Sequence, residues 1–554
     1  MTKYIIVGGV AGGATAAARL RRLDEHADII LLERTSHVSF ANCGLPYYVG
    51  GEIQTQSQLL IQTPQGMRQR FNIDVRIDSE VLSIDCTKKC VAVRHRENVE
   101  DLHYDKLLLA PGARPIRPKL PGIDDPRILT LRHIEDVEKI RASIGVSDRN
   151  ALKVAVVGGG FIGVEMAENL KATGARVTLL EAGPQILAPF DEDIAAFAEY
   201  TLLSHDIDVK FEHAVSAFEP LDDVIRIRLS DHSCVVAHVV ILAIGVTPDT
   251  EFLRQSAVQL DEKGFILVDE EMKTSAPDVF AVGDAVRLFR FDDRRPMSLA
   301  LAGPANHQGR CAADNMTGLH VKQNGLSGAC IVKIFDQTAA AVGLNEKTLH
   351  REERPYHTVI AHPLSHAGYY PGARQMVLKL IFDTHGKILG AQAIGPEGVD
   401  KRIDVLSAMI RMGATIDNLT DLELCYAPPY SSAKDPVNMI GYMAENICRG
   451  MSHPIRCHEW RTAVAQGAQL VDVRTKNEYE RGHLDGAVNI PLDEIRNHLD
   501  RFDKAVPVIL YCQVGLRGYY AERILAQLGY QVRNLVGGYR LASMVEYMQN
   551  YKKR

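Results

Sequence analysis

A chain of 554 residues is too long for one hydrophobic core, so several domains are expected. Its 46% hydrophobic and 24% charged residues are those of ordinary globular protein, and a formal net charge of −6 gives no electrostatic reason to expect nucleic acid or an anionic membrane as partner. No run of 18 uninterrupted apolar residues suggests a membrane span, and ten scattered cysteines suit a reducing cytoplasm better than a disulfide scaffold.

The chain opens on YIIVGGVAGGATAAARLRRL, a β-branched strand, a glycine turn and an alanine-rich helix, with no leader pattern ahead of it. Gly8, Gly9, Ala11, Gly12 and Gly13 form the turn, and the next strand, IILLER, ends in Glu33 and Arg34. Glu33 stands 20 residues after Gly13, the order of a dinucleotide fingerprint: glycines let backbone approach a pyrophosphate at a helix N-terminus, and the acid bonds a ribose hydroxyl. One departure is plain, since Val10 stands where the middle glycine belongs.

Cys43 follows in SFANCGLPYYVGG, with Asn42 before it and Tyr48 five positions on. A cysteine opening a helix is expected to have a lowered pKa and to be a thiolate at neutral pH. Cys86 and Cys90 form the one close pair of cysteines; without a second pair or adjacent histidines no zinc site is expected, nor any other metal. The apolar run LLLAPGARP then stops at a small residue and Gly112.

A complete fingerprint comes next. KVAVVGGGFIGVEMAENLKATGARVTLLEAG sets Gly158, Gly160 and Gly163 after a strand and Glu181 at the end of the following one. A terminal acid accepts bonds from a free 2′-hydroxyl and repels a 2′-phosphate, so NADH is expected over NADPH, with Arg176 leaving the preference less than absolute. VILAIGVTPD ends at Gly245, and TSAPDVFAVGDAV places Asp284 where a carboxylate can hold the ribityl or pyrophosphate end of FAD.

Up to about residue 445 these motifs resemble the two-dinucleotide-fold flavoprotein disulfide reductases. The resemblance implies an α/β fold with two Rossmann-like domains. FAD is expected on a discontinuous domain of residues 1–113 and 245–322, and NADH on residues 114–244. An α+β dimerisation domain over 323–445, and hence a homodimer, is also implied. Many members carry a second cysteine five residues after the first; with Tyr48 there, an internal dithiol cycle is closed and the other sulfur must come from outside. Two single-cysteine groups remain: peroxidases and oxidases that cycle through sulfenic acid, and coenzyme A disulfide reductases, which SFANCGLPYY resembles.

In the latter group tyrosines from the partner subunit reach the thiol. CYAPPYSSAKDP offers Tyr426, and HAGYYPGA offers Tyr370, with Tyr369 beside it. By the same resemblance Thr15, Arg19, Arg22, Ser39, Asn42, Asn306 and Lys434 match coenzyme A positions. One family lysine falls near Phe71, where Arg70 is the expected substitute.

After a linker expected over 446–455, the segments AQLVDVRTKNEYERGHLDGAVNIPLDEI and VPVILYCQVGLRGYYAERILAQLGY resemble a rhodanese domain over 456–554. Cys512 opens a six-residue loop ending in Arg517, suited to an anionic sulfur held as a persulfide; Asp472 and Arg474 are expected to brace the domain. The whole reads as an FAD- and NADH-dependent reductase of coenzyme A persulfide, polysulfide or coenzyme A disulfide. Two alternatives stand beside it: an NADH oxidase or peroxidase using Cys43 sulfenic acid, and a non-reductive sulfur-trafficking or sensing protein.

Overall fold

The computed structural model describes residues 1–145, 152–297 and 299–553. They form two compact units, Met1–Ala182 with His213–Leu326, and Gly183–Glu212 with Ser327–Arg554.

In the first unit, strands Lys3–Val7, Asp28–Leu32, Asp74–Arg76, Lys106–Leu109 and Val279–Ala281 form one parallel sheet. Their near-continuous apolar burial is what a sheet covered on both faces requires. Register decides the rest. Lys3 lies opposite Asp28 and Val7 opposite Leu32, so Gly8 and Glu33 leave the sheet side by side. Helix Ala11–Leu23 packs against helix Ala302–Met316 so closely that a Cβ on Gly309 would strike the Gly12 carbonyl.

A second parallel sheet in this unit holds Ile128–Thr130, Val239–Leu242, Lys153–Val157 and Arg176–Leu180, in that order. The chain crosses between the two sheets through an antiparallel ribbon, Ala113–Pro115 with Val246–Pro248. The expected boundaries at 113/114 and 244/245 fall at this ribbon. Within the expected 114–244 stretch, residues 183–212 cluster with the second unit. There, helix Glu192–Ser204 receives Lys379, which is fully buried and paired with Asp191 (3.0 Å), Asp193 (2.8 Å) and Glu346. A buried ammonium needs several carboxylates to be tolerated, and here two come from the excursion itself and the third is Glu346.

The second unit has two sheets. Cys330–Ile334, Gln337–Gly343, Ile388–Gly395, Val377–Phe382 and His357–Ala361 are antiparallel, backed by helices Val399–Arg411 and Pro436–Cys448. Pro454–Ile455, Val532–Leu535, Val508–Tyr511, Gln469–Asp472 and Val488–Asn489 form a parallel sheet. The expected linker over 446–455 is therefore too long. Residues 446–448 finish a helix, and Pro454–Ile455 is already an edge strand of the last domain. Among the described residues, no helix is long and apolar enough to cross a membrane.

Candidate functional site

The turn after Lys3–Val7 is built for close backbone approach. Gly8 has φ +96°, a left-handed conformation favouring glycine, and a Cβ on Gly8 or Gly13 would collide with backbone carbonyls. The Glu33 carboxylate accepts the Gly9 N–H at 2.8 Å, holding the acid at the mouth of the turn. A cleft runs from here past Arg34, Asn42, Gly112, Arg132 and Gly283 to Asp284. All ten residues expected to cradle FAD, from Gly8, Gly9, Ala11, Gly12 and Gly13 to Glu33, Arg34, Asn42, Gly112 and Asp284, line that cleft. Arg34 is paired with Asp249 at 2.5 Å, and Arg132 lies 3.7 Å from Asp284. Burial raises the Asp284 carboxyl above its usual range, and Arg132 opposes that. A glycine turn without side chains, an acid at the ribose end and a second acid at the far end are a fitting donor set for FAD.

The second fingerprint repeats the geometry. Gly158 has φ +105°, Gly163 presses on its carbonyl, and Glu181 accepts the Gly159 N–H at 2.6 Å. Gly160 precedes helix Phe161–Ala172, and Gly245 takes φ +110° at the crossing ribbon. Arg176 starts the strand that Glu181 follows. At ~3.3 Å per residue it lies roughly 16 Å away at the opposite edge. It cannot offset Glu181.

Cys43 is exposed, in a short 3-10 turn, Asn42–Gly44, ahead of the six-residue helix Leu45–Gly50. Ser39 anchors this turn: at φ +48° it donates its N–H to the Gly9 carbonyl at 2.8 Å. The expected lowering of the thiol pKa is reversed. Desolvation raises it, Glu165 and Asp284 push it further up, and its backbone N–H and Arg132 pull it down less. So short a turn contributes little dipole, and two carboxylates outweigh one guanidinium. Glu165, on helix Phe161–Ala172, is itself pushed up to about 7, chiefly by burial, and accepts the Tyr47 hydroxyl at 3.2 Å. Tyr48, in the place of a second cysteine, is buried. Its hydroxyl bonds Glu138 at 3.1 Å and its ring lies under Arg141.

The expected coenzyme A residues divide into groups. Thr15 donates to Asn306 at 2.5 Å and Arg19 pairs with Asp314 at 2.6 Å, which gathers one end of the groove between two helices. Arg22 and Arg70 are exposed, and so is Lys434 in the second unit. There the Tyr369 hydroxyl lies 2.7 Å from the Tyr426 hydroxyl. Tyr370, expected to reach a thiol on a partner subunit, turns its ring edge-on to His366. Of the adjacent pair, Tyr369 is the one that meets Tyr426.

In the last domain Cys512 ends strand Val508–Tyr511, buried, with its sulfur accepting the Gly515 N–H at 3.1 Å. Gly515, at φ +100°, turns the loop into helix Leu516–Gln527. Arg474 is buried under the loop, held by Asp472 (2.6–3.0 Å), by the Gly482 carbonyl (2.7 Å) and by the Gln513 side chain (3.1 Å). The expected brace is present, and it extends into the Cys512 loop.

Residues 2–309 match the pyridine nucleotide-disulphide oxidoreductase model, 330–436 its dimerisation domain and 458–542 a rhodanese-like domain. The chain belongs to the pyridine nucleotide-disulphide oxidoreductase family. The structure of reduced Bacillus anthracis CoADR-RHD is 44% identical and covers 98% of both chains at a TM-score of 0.95. A NAD-dependent persulfide reductase from A. fulgidus is 34% identical over 97% of this chain and 99% of that one, at a TM-score of 0.92. The coenzyme A disulfide reductase of Staphylococcus haemolyticus is 36% identical over 451 residues, covering 81% of this chain and 100% of its own.

This oxidoreductase family uses FAD and NAD(P)H. Sequence reasoning missed two acids of its member here. Glu165 shows in sequence only as a charged residue inside the apolar helix FIGVEMAENL, and Glu478 only as the fourth residue of a Thr-x-x-Glu capping box.

Proposed function

We propose that this flavoprotein reduces sulfur bound to coenzyme A, as persulfide or disulfide, with NADH as donor. The observation that carries this is the lone Cys43 thiol beside the dinucleotide cleft, with Tyr48 locked by Glu138 and Arg141 where a resolving cysteine would stand. The second sulfur must then arrive with the substrate. The similarity to a coenzyme A disulfide reductase and a persulfide reductase supports that assignment. FAD supplies two-electron transfer between NADH and sulfur.

Cys43 as thiolate attacks the coenzyme A sulfur of a persulfide, the S–S bond breaks, and hydrosulfide leaves with the electron pair. With a disulfide, coenzyme A thiolate leaves instead. Tyr426 and Tyr369, contributed by a second subunit of a homodimer, hold the proton that the leaving sulfur takes. Thr15, Arg19, Arg22, Ser39, Asn42, Arg70, Asn306 and Lys434 bind the coenzyme A body, its phosphates facing the arginines. Cys512 carries sulfane sulfur as a persulfide, with Arg517 beside it. All ten cysteines are free, which suits the cytoplasm.

Cys43→Ser tests the reading. The variant retains FAD, because fold residues hold it, but loses reduction of coenzyme A persulfide and disulfide and the long-wavelength absorption of thiolate against flavin. Turnover above about a tenth of wild type under anaerobic conditions would reject the role of Cys43.

A further inference from the structure

The loop around Cys512 holds a cation that is already spoken for. Beside the Cys512 loop, both terminal nitrogens of the Arg517 guanidinium donate to Glu478, at 2.7 and 2.8 Å. That bidentate grip takes two of the guanidinium's five N–H donors and offsets its charge, so an incoming oxyanion meets a cation that is already paired. Glu478 is itself fixed by the capping box of helix Lys476–Glu480, where its carboxylate accepts from the Thr475 N–H (3.0 Å) and hydroxyl (2.9 Å). Arg517 first, then Thr475, hold the Glu478 carboxyl down to about 2, so it stays anionic at any working pH. Arg474 is neutralised by Asp472, and Arg540, whose backbone N–H supports the Gln513 carbonyl, gives its guanidinium to the Gln375 side chain.

Two large side chains with apolar bodies are exposed on the helix behind the loop. Leu516 is 53% exposed and Tyr520 48% exposed, and at i, i+4 they share one face of the helix behind the loop. A doubly charged thiosulfate would have to shed water here while the Arg517 cation stays paired with Glu478. A persulfide on an organic thiol, or an inorganic polysulfide, brings a softer and less hydrated sulfur chain.

We infer that Glu478 is a specificity-determining residue of the Cys512 site: by clamping Arg517 it directs the site to sulfane sulfur of persulfides and polysulfides and against thiosulfate. This rests on the reading of Cys512 as a sulfur carrier. The Cys512 thiolate attacks the outer sulfur of R–S–SH, the S–S bond breaks, and RS⁻ departs with the electron pair and takes a proton from water. Cys512 is left as the persulfide, with no net oxidation or reduction.

The test is peptide mass spectrometry of Cys512 persulfide formation in the full-length flavoprotein carrying Cys43→Ser, without NADH, offered thiosulfate or inorganic polysulfide. Polysulfide is expected to load Cys512 at least about 100-fold faster than thiosulfate. Glu478→Gln keeps the capping-box geometry but removes the charge, and the thiosulfate-to-polysulfide rate ratio should rise by about tenfold or more. Leu516→Lys, which adds an unpaired cation at an exposed position, should raise the same ratio while the Glu478 clamp is intact. Equal loading of the parent by both donors, or an unchanged ratio in both variants, overturns the inference. Failure of both donors to load Cys512 would instead reject the carrier role, and the Cys43 reading would stand or fall on its own assay.

Discussion

The phenol of Tyr369 lies 2.7 Å from that of Tyr426, while Tyr370, next in sequence, packs edge-on against His366. Both paired rings are open, 75% and 47% exposed, so the two hydroxyls can be offered together to a thiol on a second subunit. One phenol donates to the other, and the hydrogen bond from Tyr426 raises the Tyr369 phenol. A pair of this kind can pass a proton to a leaving sulfur. Tyr426→Phe and Tyr369→Phe should each lower kcat for coenzyme A disulfide by ~10- to 100-fold, the range of a positioned proton donor. Tyr370→Phe should change it by less than about threefold. NADH oxidation followed at 340 nm gives all three, and a Tyr370→Phe loss matching the others would restore Tyr370 to the site.

Glu165 and Cys43 are electrostatically opposed: a carboxylate nearby raises the thiol pKa. With the Glu165 carboxyl at about 7, it loses its proton across the neutral range and then resists formation of the thiolate. Glu165→Gln removes that charge, so the thiol pKa must fall. Alkylation of Cys43 by iodoacetamide, followed against pH in the FAD-loaded enzyme, should shift to lower pH. A shift to higher pH would mean that Glu165 orders the turn rather than acting on the thiol through its charge.

Glu181 holds the glycine turn of the second fingerprint, and Arg176 lies at the far end of its strand. NADH should therefore be the better donor by kcat/KM. Glu181→Ala should narrow the gap to NADPH by ~5- to 150-fold, the worth of one to three kcal/mol of ribose hydrogen bonding. Arg176→Ala should leave the ratio within about twofold, and a larger change would require a path from Arg176 to the ribose that the strand geometry does not offer.

Cys43 and Cys512 sit in different chemical surroundings, one in a turn beside a dinucleotide cleft, the other buried in a loop whose Gly515 N–H donates to its sulfur. Cys512→Ser should keep reduction of coenzyme A disulfide and small persulfides while losing polysulfide-dependent sulfur transfer. Cys43→Ser should show the reverse. Collapse of both activities in both variants would mean one composite site with the two sulfurs in direct exchange.

Asp472 and Arg474 form a buried pair, their side chains 0% and 2% exposed. Removing only the acid leaves a buried guanidinium with its charge uncompensated. Asp472→Ala should destabilise the rhodanese-like domain by ~3–5 kcal/mol. The readout is loss of that domain's transition in calorimetry and rapid proteolysis after residue 453, with FAD retained. An unshifted transition would show that the Gly482 carbonyl and Gln513 suffice to hold Arg474.

Local pattern determined much of this protein. Two strand–glycine–helix–strand–acid units, a cysteine after the first and a cysteine loop near the end are each written in contiguous residues. They stand where the structure has them because backbone rules act over a few positions. The dinucleotide clefts, the lone thiol, the Cys512 loop and its Asp472–Arg474 brace were all legible on that basis. Tertiary structure decided what depends on partners distant in sequence. The 183–212 excursion joins the second unit because Lys379, nearly 190 residues on, needs Asp191 and Asp193 when buried. Which of Tyr369 and Tyr370 meets Tyr426 depends on loop packing that two adjacent identical residues cannot encode by type. The thiol of Cys43 is raised rather than lowered because folding desolvates it first and then brings Glu165, from the other dinucleotide fold, and Asp284 near it. Charge and burial act through space, and their signs appear only once the chain has folded.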